Sequence, residues 1–560
     1  MIKYILIFLS AIISSFLCLF PITDTDIFWH LSAGREIITN KHFLYCDPFS
    51  FSLNLPNWID LHWLFQVSIY GFYNLFGLKG LLYFKLICII LNVIILCLIY
   101  QKNHIYIFSA ALSCILLFFC ARYLICERPV LITIICISLY LFLFEIFFQR
   151  KNYKILFWCI PLQIIWTNSQ GLYPLGLFII FSYLLESIIN YYFISNKTFS
   201  NLLYLKKQTK FLSIIFILCF LSCFITPYGI NGVLFPIRLL SRILPFSNNL
   251  YSFFVSENIP IFALRGFDLT YSFETILIFV LLIIFFVVNK NFLKISHLIL
   301  FFGFLFLAII AVRNVLLFFI VSIFIISYNT MCYFEKYKVK YHNKFFSKLL
   351  YIIPPIIIFL LILYQIKLIS IYPKNKILSP FRFPEKIVEY LKVNPVSGNI
   401  YNDIRSGGYL IWNFYPKKQV FIDGRLIIRP PKLFAEYLSV CYNPELFSFL
   451  EKKYNITHVV LPSSIFTHYR PLIKWLYNAS NWHLEYTDGS FFLFVKNNLN
   501  NNILDLKDSL TIKNISNNII NEFKSSPYIK NEALQYFADI TEYLGLIENA
   551  KIIKKKMLEK

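Results

Sequence analysis

Charged residues are scarce in this chain: Asp, Glu, Lys and Arg make up 14% of its 560 residues, whereas 58% are hydrophobic. In soluble globular proteins about a quarter of the residues are charged, so this composition excludes an ordinary water-soluble protein. Glycine and proline are modest, with 16 and 23 residues, which excludes a collagen-like or a Pro/Gly-rich disordered chain. The composition predicts an integral membrane protein.

Metal-binding cysteine patterns are also missing. The 13 cysteines mostly stand singly inside apolar runs, as Cys88, Cys97 and Cys136 do, and no CxxC or Cys/His pair has zinc spacing. We interpret them as small buried hydrophobic residues. Acidic residues are few, and the net charge is +23. The basic residues lie between the apolar runs rather than on one face. This distribution predicts that the chain contacts a membrane and does not bind nucleic acid.

The sequence contains about eleven long apolar runs. A transmembrane helix needs roughly 20 predominantly apolar residues. The first run could be a signal peptide, but no small-residue cleavage site follows it, so we interpret it as a retained helix. The predicted spans lie at about 4–21, 80–100, 104–121, 129–148, 153–168, 171–194, 211–226, 271–289, 294–311, 314–332 and 349–371.

The fairly apolar segment 62–78 decides which side each later loop faces. If it spans the membrane, every later loop changes side. If it lies along the interface, as Trp63 and Tyr70 permit, sixteen Lys and Arg residues fall in short loops on one side and nine in the longer loops opposite. Positive charge stays cytoplasmic. We therefore predict a cytoplasmic N-terminus, with everything after about residue 372 outside.

In this topology many polar residues share the outer surface. Ionisable residues at membrane depth are costly and usually functional, although a lone Arg such as Arg122 can equally anchor its helix to lipid headgroups. Their convergence favours a polar cavity that opens outward. The residues are Asp24, Asp26, His30, Arg35, Asp47, Asp60, Arg122, Glu127, Arg128, Asn168, Gln170, Glu257, Arg265, Arg313 and Asn314.

Two carboxylates, Asp24 and Asp26, follow the first apolar run directly. Such a pair suits a base that takes a proton from an acceptor hydroxyl, and it also suits a divalent cation bound by oxygen ligands. A turn capped by Asp or Thr before a helix has the same pattern. The pattern alone leaves the three interpretations open.

The first outer loop and several later segments resemble a group of bacterial polytopic proteins related to GT-C glycosyltransferases, the superfamily of protein mannosyltransferases and aminoarabinose transferases. The resemblance covers most of residues 1–500. The family pattern has His before the glycine at 171, whereas this chain has Gln170, which argues against a catalytic role for that side chain. The motifs are DTDIFWHLSAGREI at 24–37, DPFSF at 47–51, WIDLHWLFQ at 58–66, ERP at 127–129, WTNSQG at 166–171, TPYG at 226–229, RN at 313–314, YNDIRSGGYLIW at 401–412 and VFIDGR at 420–425.

The resemblance implies an enzyme with an acidic residue of the first outer loop at its catalytic centre and a polyprenyl-phosphate sugar as donor. By position, the catalytic residues are Asp24 and Asp26. Arg122, Arg128 and Arg313 would bind the lipid phosphate, because Arg suits bidentate phosphate contact. The other candidate substrate-binding residues are His30, Arg35, Asp47, Asp60, His62, Asn168, Gln170, Tyr228, Glu257 and Asn314.

The composition becomes that of a globular domain near residue 373. Short strands alternate with helices, and Thr487-Asp488-Gly489 between two strands is a strong hairpin signal, so a small α/β domain is predicted. Asp403 and Asp423 at strand ends either form a site or belong to turns. The predicted organisation is an all-α GT-C-like membrane domain at 1–372 with a catalytic first loop at 22–79, an extracytoplasmic α/β domain at 373–499, a linker at 500–525 and a TPR-like helical hairpin at 526–560.

Three classes of function fit these features. A transporter would more naturally show inverted repeats, and the sequence has none. A non-catalytic scaffold of cell-envelope glycan synthesis remains open. A glycosyltransferase explains the acidic loop, the polar cavity and the outer domain together. We expect an enzyme of the bacterial cytoplasmic membrane, in contact with membrane lipid, that uses a polyprenyl-phosphate sugar and a glycan, lipid or protein acceptor. No cofactor is predicted beyond the divalent cation considered above.

Overall fold

The computed structural model describes residues 2–54, 57–100, 104–193, 199–243, 250, 255–264, 269–289, 294–337, 344–374, 376–395, 397–496 and 503–558. Arg265 and residues 500–502 of the predicted linker lie outside them. Contacts divide the chain into two compact units, one of Met1–Leu19 and Ile59–Gln365 and the other of Phe20–Trp58 and Ile366–Lys560. The predicted domain boundary at 372 stays a prediction. Most of the first outer loop, however, belongs to the second unit and not to the membrane domain.

The first unit is built from helices. Gly77 separates two of them: its φ of 59° is one that glycine adopts readily, and its N–H donates to Tyr73 O at 2.7 Å. The next helix therefore begins at once. The helices are Ile2–Leu17, Trp63–Phe76, Leu78–Leu98, His104–Ala121, Val130–Arg150, Cys159–Thr167, Pro174–Phe193, Phe199–Ser222, Gly229–Ile243, Leu269–Val288, Ile295–Ile310, Val315–Tyr337 and most of Lys344–Ser370.

Seven candidate membrane spans, long and apolar enough to cross a bilayer, occur among the described residues. The multi-pass helical class is thereby confirmed. Three further predicted spans fall on the shorter apolar helices Ile2–Leu17, Tyr153–Thr167 and Ile295–Ile310, and that at 211–226 falls largely on Phe199–Ser222. The count of eleven stays a prediction. The seven are Leu78–Leu98, Tyr106–Leu124, Val130–Arg150, Pro174–Phe193, Thr270–Val288, Val312–Tyr333 and Ile352–Ser370.

The segment 62–78 contains the 14-residue helix Trp63–Phe76. At a rise of about 1.5 Å per residue this helix is roughly 21 Å long, which is shorter than the bilayer core of about 30 Å. A position along the interface agrees with this length and stays a prediction.

The second unit contains a four-stranded sheet in the order β1-β2-β4-β3. The strands are β1 (Asn399–Asn402), β2 (Ile456–Pro462), β3 (Trp482–Thr487) and β4 (Phe491–Lys496). β1 and β2 are parallel, and the other two pairs are antiparallel. The predicted strands at 399–402 and 457–461 and the predicted hairpin are confirmed. The core lies between the sheet and the Glu385–Val393 helix, whose Ile387 and Leu391 pack on β1, β2 and β4.

The predicted strand at 419–422 is not a strand. Within it, only Val420 forms β-bridges, to Ile400 on one side and to Ser50 of the first loop on the other. The next residues pair with a side chain instead: Phe421 N donates to Asn402 Oδ1 at 3.0 Å, and Asn402 Nδ2 donates to Ile422 O at 2.7 Å. The Asn402 amide takes the hydrogen bonds that a ladder would have used.

A helix, Ser509–Glu522, lies where a linker was predicted at 500–525. Asp508 caps it by accepting hydrogen bonds from Leu510 N at 3.0 Å and Thr511 N at 2.9 Å, the usual stabilisation of a helix start. Asn514, Asn517 and Asn518, part of the stretch that suggested a linker, lie on its exposed face, opposite three buried isoleucines. The tail forms helices Pro527–Tyr543 and Ile547–Leu558, and its similarity to a TPR unit stays a prediction.

The remaining helices of the second unit connect the strands or lie before the sheet. Helix Ile27–Asn40 comes from the first loop. The others are Ser406–Phe414, Pro431–Tyr442, Phe447–Tyr454 and Arg470–Asn478.

Candidate functional site

The first outer loop is hydrogen-bonded into the second unit. Ser379 N donates to Ile22 O at 2.8 Å, and Val420 N donates to Phe49 O at 2.9 Å. On the Ile27–Asn40 helix, the Phe28 ring meets the Tyr409 ring edge-on at 4.8 Å. The motifs DTDIFWH, DPFSF, YNDIRSGGYLIW and VFIDGR are thus brought together in one compact unit.

The two candidate catalytic acids lie at the start of the Ile27–Asn40 helix. Asp24 is buried, and its Oδ1 accepts a hydrogen bond from Asp26 N at 3.1 Å, as in an Asx turn. Asp26 is partly exposed and occupies the N-cap position, but its side chain makes no capping hydrogen bond. Turn chemistry therefore accounts for one oxygen of Asp24, and helix capping does not account for Asp26.

Two other predicted residues of this loop contact protein groups. His30 is buried and stacks on Trp29, with ring centroids 3.5 Å apart. Arg35 donates to Trp412 O at 3.3 Å and to Tyr415 O at 3.1 Å, and its guanidinium lies 4.6 Å from the centre of the Trp412 ring. These contacts attach the helix to the rest of the second unit.

Asp47 lies in a buried ion cluster with Asp423, Arg425 and Arg429. Arg425 is 2.7 Å from Asp47 Oδ1 and 2.7 Å from Asp423 Oδ2, and Arg429 is 2.6 Å from Asp423 Oδ2. Two carboxylates balance two guanidinium groups, as a stable buried cluster requires. Asp47, predicted from sequence to bind substrate, is thus engaged in ion pairs at zero exposure. Asp423 belongs both to this cluster and to a turn.

The charges of this cluster are fixed by its members. Burial acts to raise the pKa of Asp423, but Arg425 and Arg429 outweigh it and hold that pKa well below its ordinary value. Burial acts to lower the pKa of Arg425, and Asp423 and Asp47 outweigh it and raise that pKa. Asp423 and Arg425 therefore remain ionised at neutral pH.

In the first unit, a hydrogen-bonded group joins Asp60, His62 and Gln170. Asp60 is fully buried, and its Oδ1 accepts from Gln66 Nε2 at 3.0 Å and lies 3.7 Å from His62 Nδ1. His62 Nε2 is 2.9 Å from Gln170 Oε1, the oxygen that also accepts from Gly171 N at 2.7 Å. Because that oxygen can only accept, His62 Nε2 is the donor.

Asn168 connects this group to other motifs of the resemblance. Its Oδ1 accepts from Trp63 Nε1 at 2.8 Å, and its Nδ2 donates to Ile225 O at 2.8 Å, next to the TPYG segment that contains Tyr228. Tyr228 is buried. Three segments that are far apart in sequence, 58–66, 166–171 and 225–229, therefore meet.

A second group in the first unit joins Arg128, Glu257 and Arg313. Arg128 and Glu257 form an ion pair with about a third of each side chain exposed. Arg313 lies within electrostatic range of both, and its neighbour Val312 donates to Ile259 O at 3.0 Å. Asn314 Nδ2 donates to Leu307 O at 3.0 Å. Two of the three candidate phosphate-binding arginines are thus brought together.

The third, Arg122, has different surroundings. Its guanidinium lies 4.0 and 4.4 Å from the ring centres of Phe119 and Tyr123, and Nη1 donates to Phe119 O at 2.6 Å. Such stacking is typical of Arg against aromatic rings. Among the described residues, Glu257 forms its ion pair with Arg128 and not with Arg122.

Sequence reasoning missed Lys85 and Arg429. Lys85 lies in the candidate span Leu78–Leu98 and pairs with Glu127 at 2.6 Å, with both side chains almost fully buried. A charge inside an apolar run is itself a signal of function or pairing, and that signal was present. Arg429 gave no such signal, because it lies outside an apolar run and, although Asp423 is near it in sequence, its other partner, Asp47, lies in the first loop.

Metal binding was considered for Asp24 and Asp26. In the part of the chain that the structure describes, no group of three or more His, Cys, Asp or Glu side chains is placed to hold a metal ion. Two carboxylates can hold Mg²⁺ when a substrate phosphate and water complete its ligands. Metal dependence thus stays a proposal.

Comparisons with known proteins give one consistent result. No family model and no curated protein matches the sequence. Among solved structures, the apo oligosaccharyltransferase of Archaeoglobus fulgidus matches with a TM-score of 0.54 at 13% identity, over 84% of this chain and 71% of that one. The same enzyme, AglB, in complex with an inhibitory peptide and a dolichol-phosphate matches with a TM-score of 0.54 at 11% identity, over 99% of this chain and 86% of that one. AglB is a GT-C-fold glycosyltransferase, and at these identities the chain shares its fold.

Proposed function

We propose that this protein is an inverting membrane glycosyltransferase that moves a sugar from a polyprenyl-phosphate donor to an acceptor on the outer face of the bacterial cytoplasmic membrane. The observation that carries the proposal is the GT-C fold, which extends over 84–99% of the chain. One structure with this fold holds a dolichol-phosphate and another a tethered acceptor peptide. A lipid-phosphate donor and an external acceptor agree with both.

The proposed chemistry is a single displacement. An acceptor hydroxyl attacks the anomeric carbon, Asp26 or Asp24 takes the hydroxyl proton, and the bond to the lipid phosphate breaks with its electron pair left on the phosphate. Attack develops oxocarbenium character, which a nearby carboxylate also stabilises. Inversion at the anomeric carbon follows from one displacement.

The direct test is turnover. We expect the purified full-length protein, given a panel of labelled polyprenyl-phosphate sugars and an acceptor-rich envelope extract, to release polyprenyl phosphate from one of them. An added chelator will lower the rate if a divalent cation takes part. A protein that is folded, carries no inactivating substitution and consumes none of the panel would favour the scaffold function.

Arg128 and Arg313 are the best-placed residues for the donor phosphate, because Arg128 pairs with Glu257 and Arg313 lies within electrostatic range of both. Replacing Arg128 by Ala should weaken binding of a labelled polyprenyl-phosphate sugar by roughly ten- to a hundredfold, since a charge-assisted hydrogen bond contributes about 1.5–3 kcal/mol. Arg128→Lys should recover only part of this loss, because Lys keeps the charge but loses the bidentate fork. Arg122→Lys, the same substitution at the third candidate arginine, is the variant to compare with Arg128→Lys. If Arg128→Lys leaves the Kd unchanged, the arginine is an anchor and not a ligand.

Membrane topology is tested with cysteine accessibility. Cys46 is exposed in the first outer loop and should react with an impermeant maleimide in cells whose outer barrier has been permeabilised. In a Cys46→Ser background, Leu510→Cys, at a position 63% exposed, should also react, whereas Lys207→Cys should react only after lysis. Reaction of Lys207→Cys from outside would mean that the segment 62–78 spans the membrane.

A further inference from the structure

The turn Asp423-Gly424-Arg425 touches the candidate catalytic acid. A Cβ atom on Gly424 would overlap Asp26 Oδ1 and lie only 2.9 Å from Asp26 Cγ. The φ of Gly424 is outside the left-handed region, so this approach, and not the backbone conformation, requires glycine. The Asp26 carboxylate therefore lies directly against the backbone of the turn.

The turn cannot easily move away from that carboxylate. Arg425 N and Nε both donate to Asp423 Oδ1, at 2.9 and 2.8 Å, and Leu426 N donates to Gly424 O at 2.8 Å. The Arg425 guanidinium is also paired with Asp47 at 2.7 Å and lies 4.6 Å from the centre of the Trp58 ring. Both flanks of Gly424 are thus fixed by the buried ion cluster.

The opposite side of the loop is equally close-packed. A Cβ on Gly408 would lie 2.8 Å from Thr25 O, and one on Gly407 would overlap Ile422 O and lie 2.8 Å from Asp423 Cα. The Ser406–Phe414 helix therefore contacts the acidic loop and the 422–423 backbone through adjacent glycines. Cores packed this closely transmit small displacements instead of absorbing them.

We propose that Gly424 is a positioning residue that sets the location of the Asp26 carboxylate, so that the extracytoplasmic α/β domain serves as the support of the catalytic loop. The proposal rests on the proposed function in so far as Asp26 is the catalytic acid. The Asp47 ion cluster acts through Gly424 and does not itself reach the substrate.

Gly424→Ala tests this directly. The added methyl group must displace the Asp26 carboxylate, and a displacement of about 1 Å can cost roughly a hundredfold in rate. We expect kcat to fall by that factor while the donor Kd changes by less than threefold. Gly71→Ala is the matched control, because a Cβ there meets nothing within 4 Å, and it should retain wild-type turnover. A folded Gly424→Ala protein with wild-type kcat would overturn the proposal.

A double-mutant cycle separates positioning from general damage. In an Asp26→Asn background, Gly424→Ala should change the residual turnover by less than threefold, because both substitutions act on one carboxylate. An undiminished hundredfold loss in that background would show that Gly424 acts through other groups. If Gly424→Ala does not fold, Asp26→Glu takes its place: the longer side chain cannot occupy the space beside Gly424, so kcat should fall at least tenfold. Retained turnover would contradict a confined carboxylate.

One measurement does not need activity. Carbodiimide labelling of carboxylates, read by mass spectrometry, should give a changed rate at Asp26 in Gly424→Ala and an unchanged rate at the exposed Glu389. An unchanged rate at Asp26 would refute the positioning proposal even if the wild type proves active. Absence of sugar transfer by the wild type, together with a changed Asp26 rate, would refute the proposed function and leave the positioning intact.

Discussion

Replacing Asp26 by Asn is expected to reduce sugar transfer by about 10²–10⁴-fold, the usual contribution of a positioned base. Asn has nearly the same shape, so the contact with Gly424 is kept and the protein should fold and insert normally. The loss would come from the absent base and from weaker stabilisation of the oxocarbenium-like transition state. Turnover of the identified donor at saturating concentration is the measurement.

Asp24→Asn separates the two acids. Its Oδ1 can still accept the hydrogen bond from Asp26 N, which is 3.1 Å in the wild type, so only the charge is removed. A loss as large as that of Asp26→Asn would assign both acids to the reaction, whereas a small one would limit Asp24 to the turn. Glu389→Gln, at an exposed acid on the Glu385–Val393 helix, is the control and should be silent. Near-normal turnover in both Asp variants would show that the catalytic assignment is wrong.

Breaking the buried ion cluster should have the largest effect on stability. In Asp47→Asn, the remaining carboxylate of Asp423 faces two guanidinium groups, so one buried positive charge is left uncompensated. Removal of one partner of a buried pair costs about 3–5 kcal/mol, a large part of the roughly 5–15 kcal/mol that stabilises a typical protein. We expect the second unit, and not the membrane helices, to lose this stability.

Hydrogen exchange of the full-length protein measures the loss locally. Peptides that cover β1 and the 420–425 segment should exchange faster in Asp47→Asn. If local opening and closing remain fast relative to exchange, the ratio of the exchange rates should correspond to a 3–5 kcal/mol lower opening free energy. Lys386→Met, which removes the exposed ion pair with Glu389, is the control and should change the opening free energy by about 1 kcal/mol or less. Equal exchange in both variants would mean that the cluster does not hold the first loop.

The pH dependence has a definite sign. Because the pKa of Asp423 is depressed by Arg425 and Arg429, its contribution to stability is complete above the unfolded-state pKa of about 3.9. It is lost only as the pH falls through the lower folded-state pKa. Exchange in the 420–425 segment of the wild type should therefore show no loss of this contribution between pH 8 and pH 5.

Local features of this protein could be predicted from the amino-acid sequence. Apolar runs with few charges predict a multi-pass helical membrane protein because a bilayer span requires them. The Thr487-Asp488-Gly489 turn predicts its hairpin. Both depend on residues close together in the chain, so composition and spacing were sufficient. The paired acids Asp24 and Asp26 were different: their pattern left three interpretations open, and the catalytic role rests on the resemblance to GT-C glycosyltransferases.

Which distant residues meet follows from the folded chain and not from local pattern. The fold placed loop 20–58 in the second unit, joined Asp47 to Arg425 and Arg429, and set the partly exposed Asp26 carboxylate against Gly424. A local pattern can identify a charged residue but not its partner, because the partner of Asp47 lies almost 380 positions away. The Asn402 side chain makes hydrogen bonds to residues 421 and 422 in place of a backbone ladder. The hydrophobic periodicity of the sequence cannot predict such bonds either. The role of a charge therefore followed from packing, since burial and the nearest opposite charge determine whether it serves stability or chemistry.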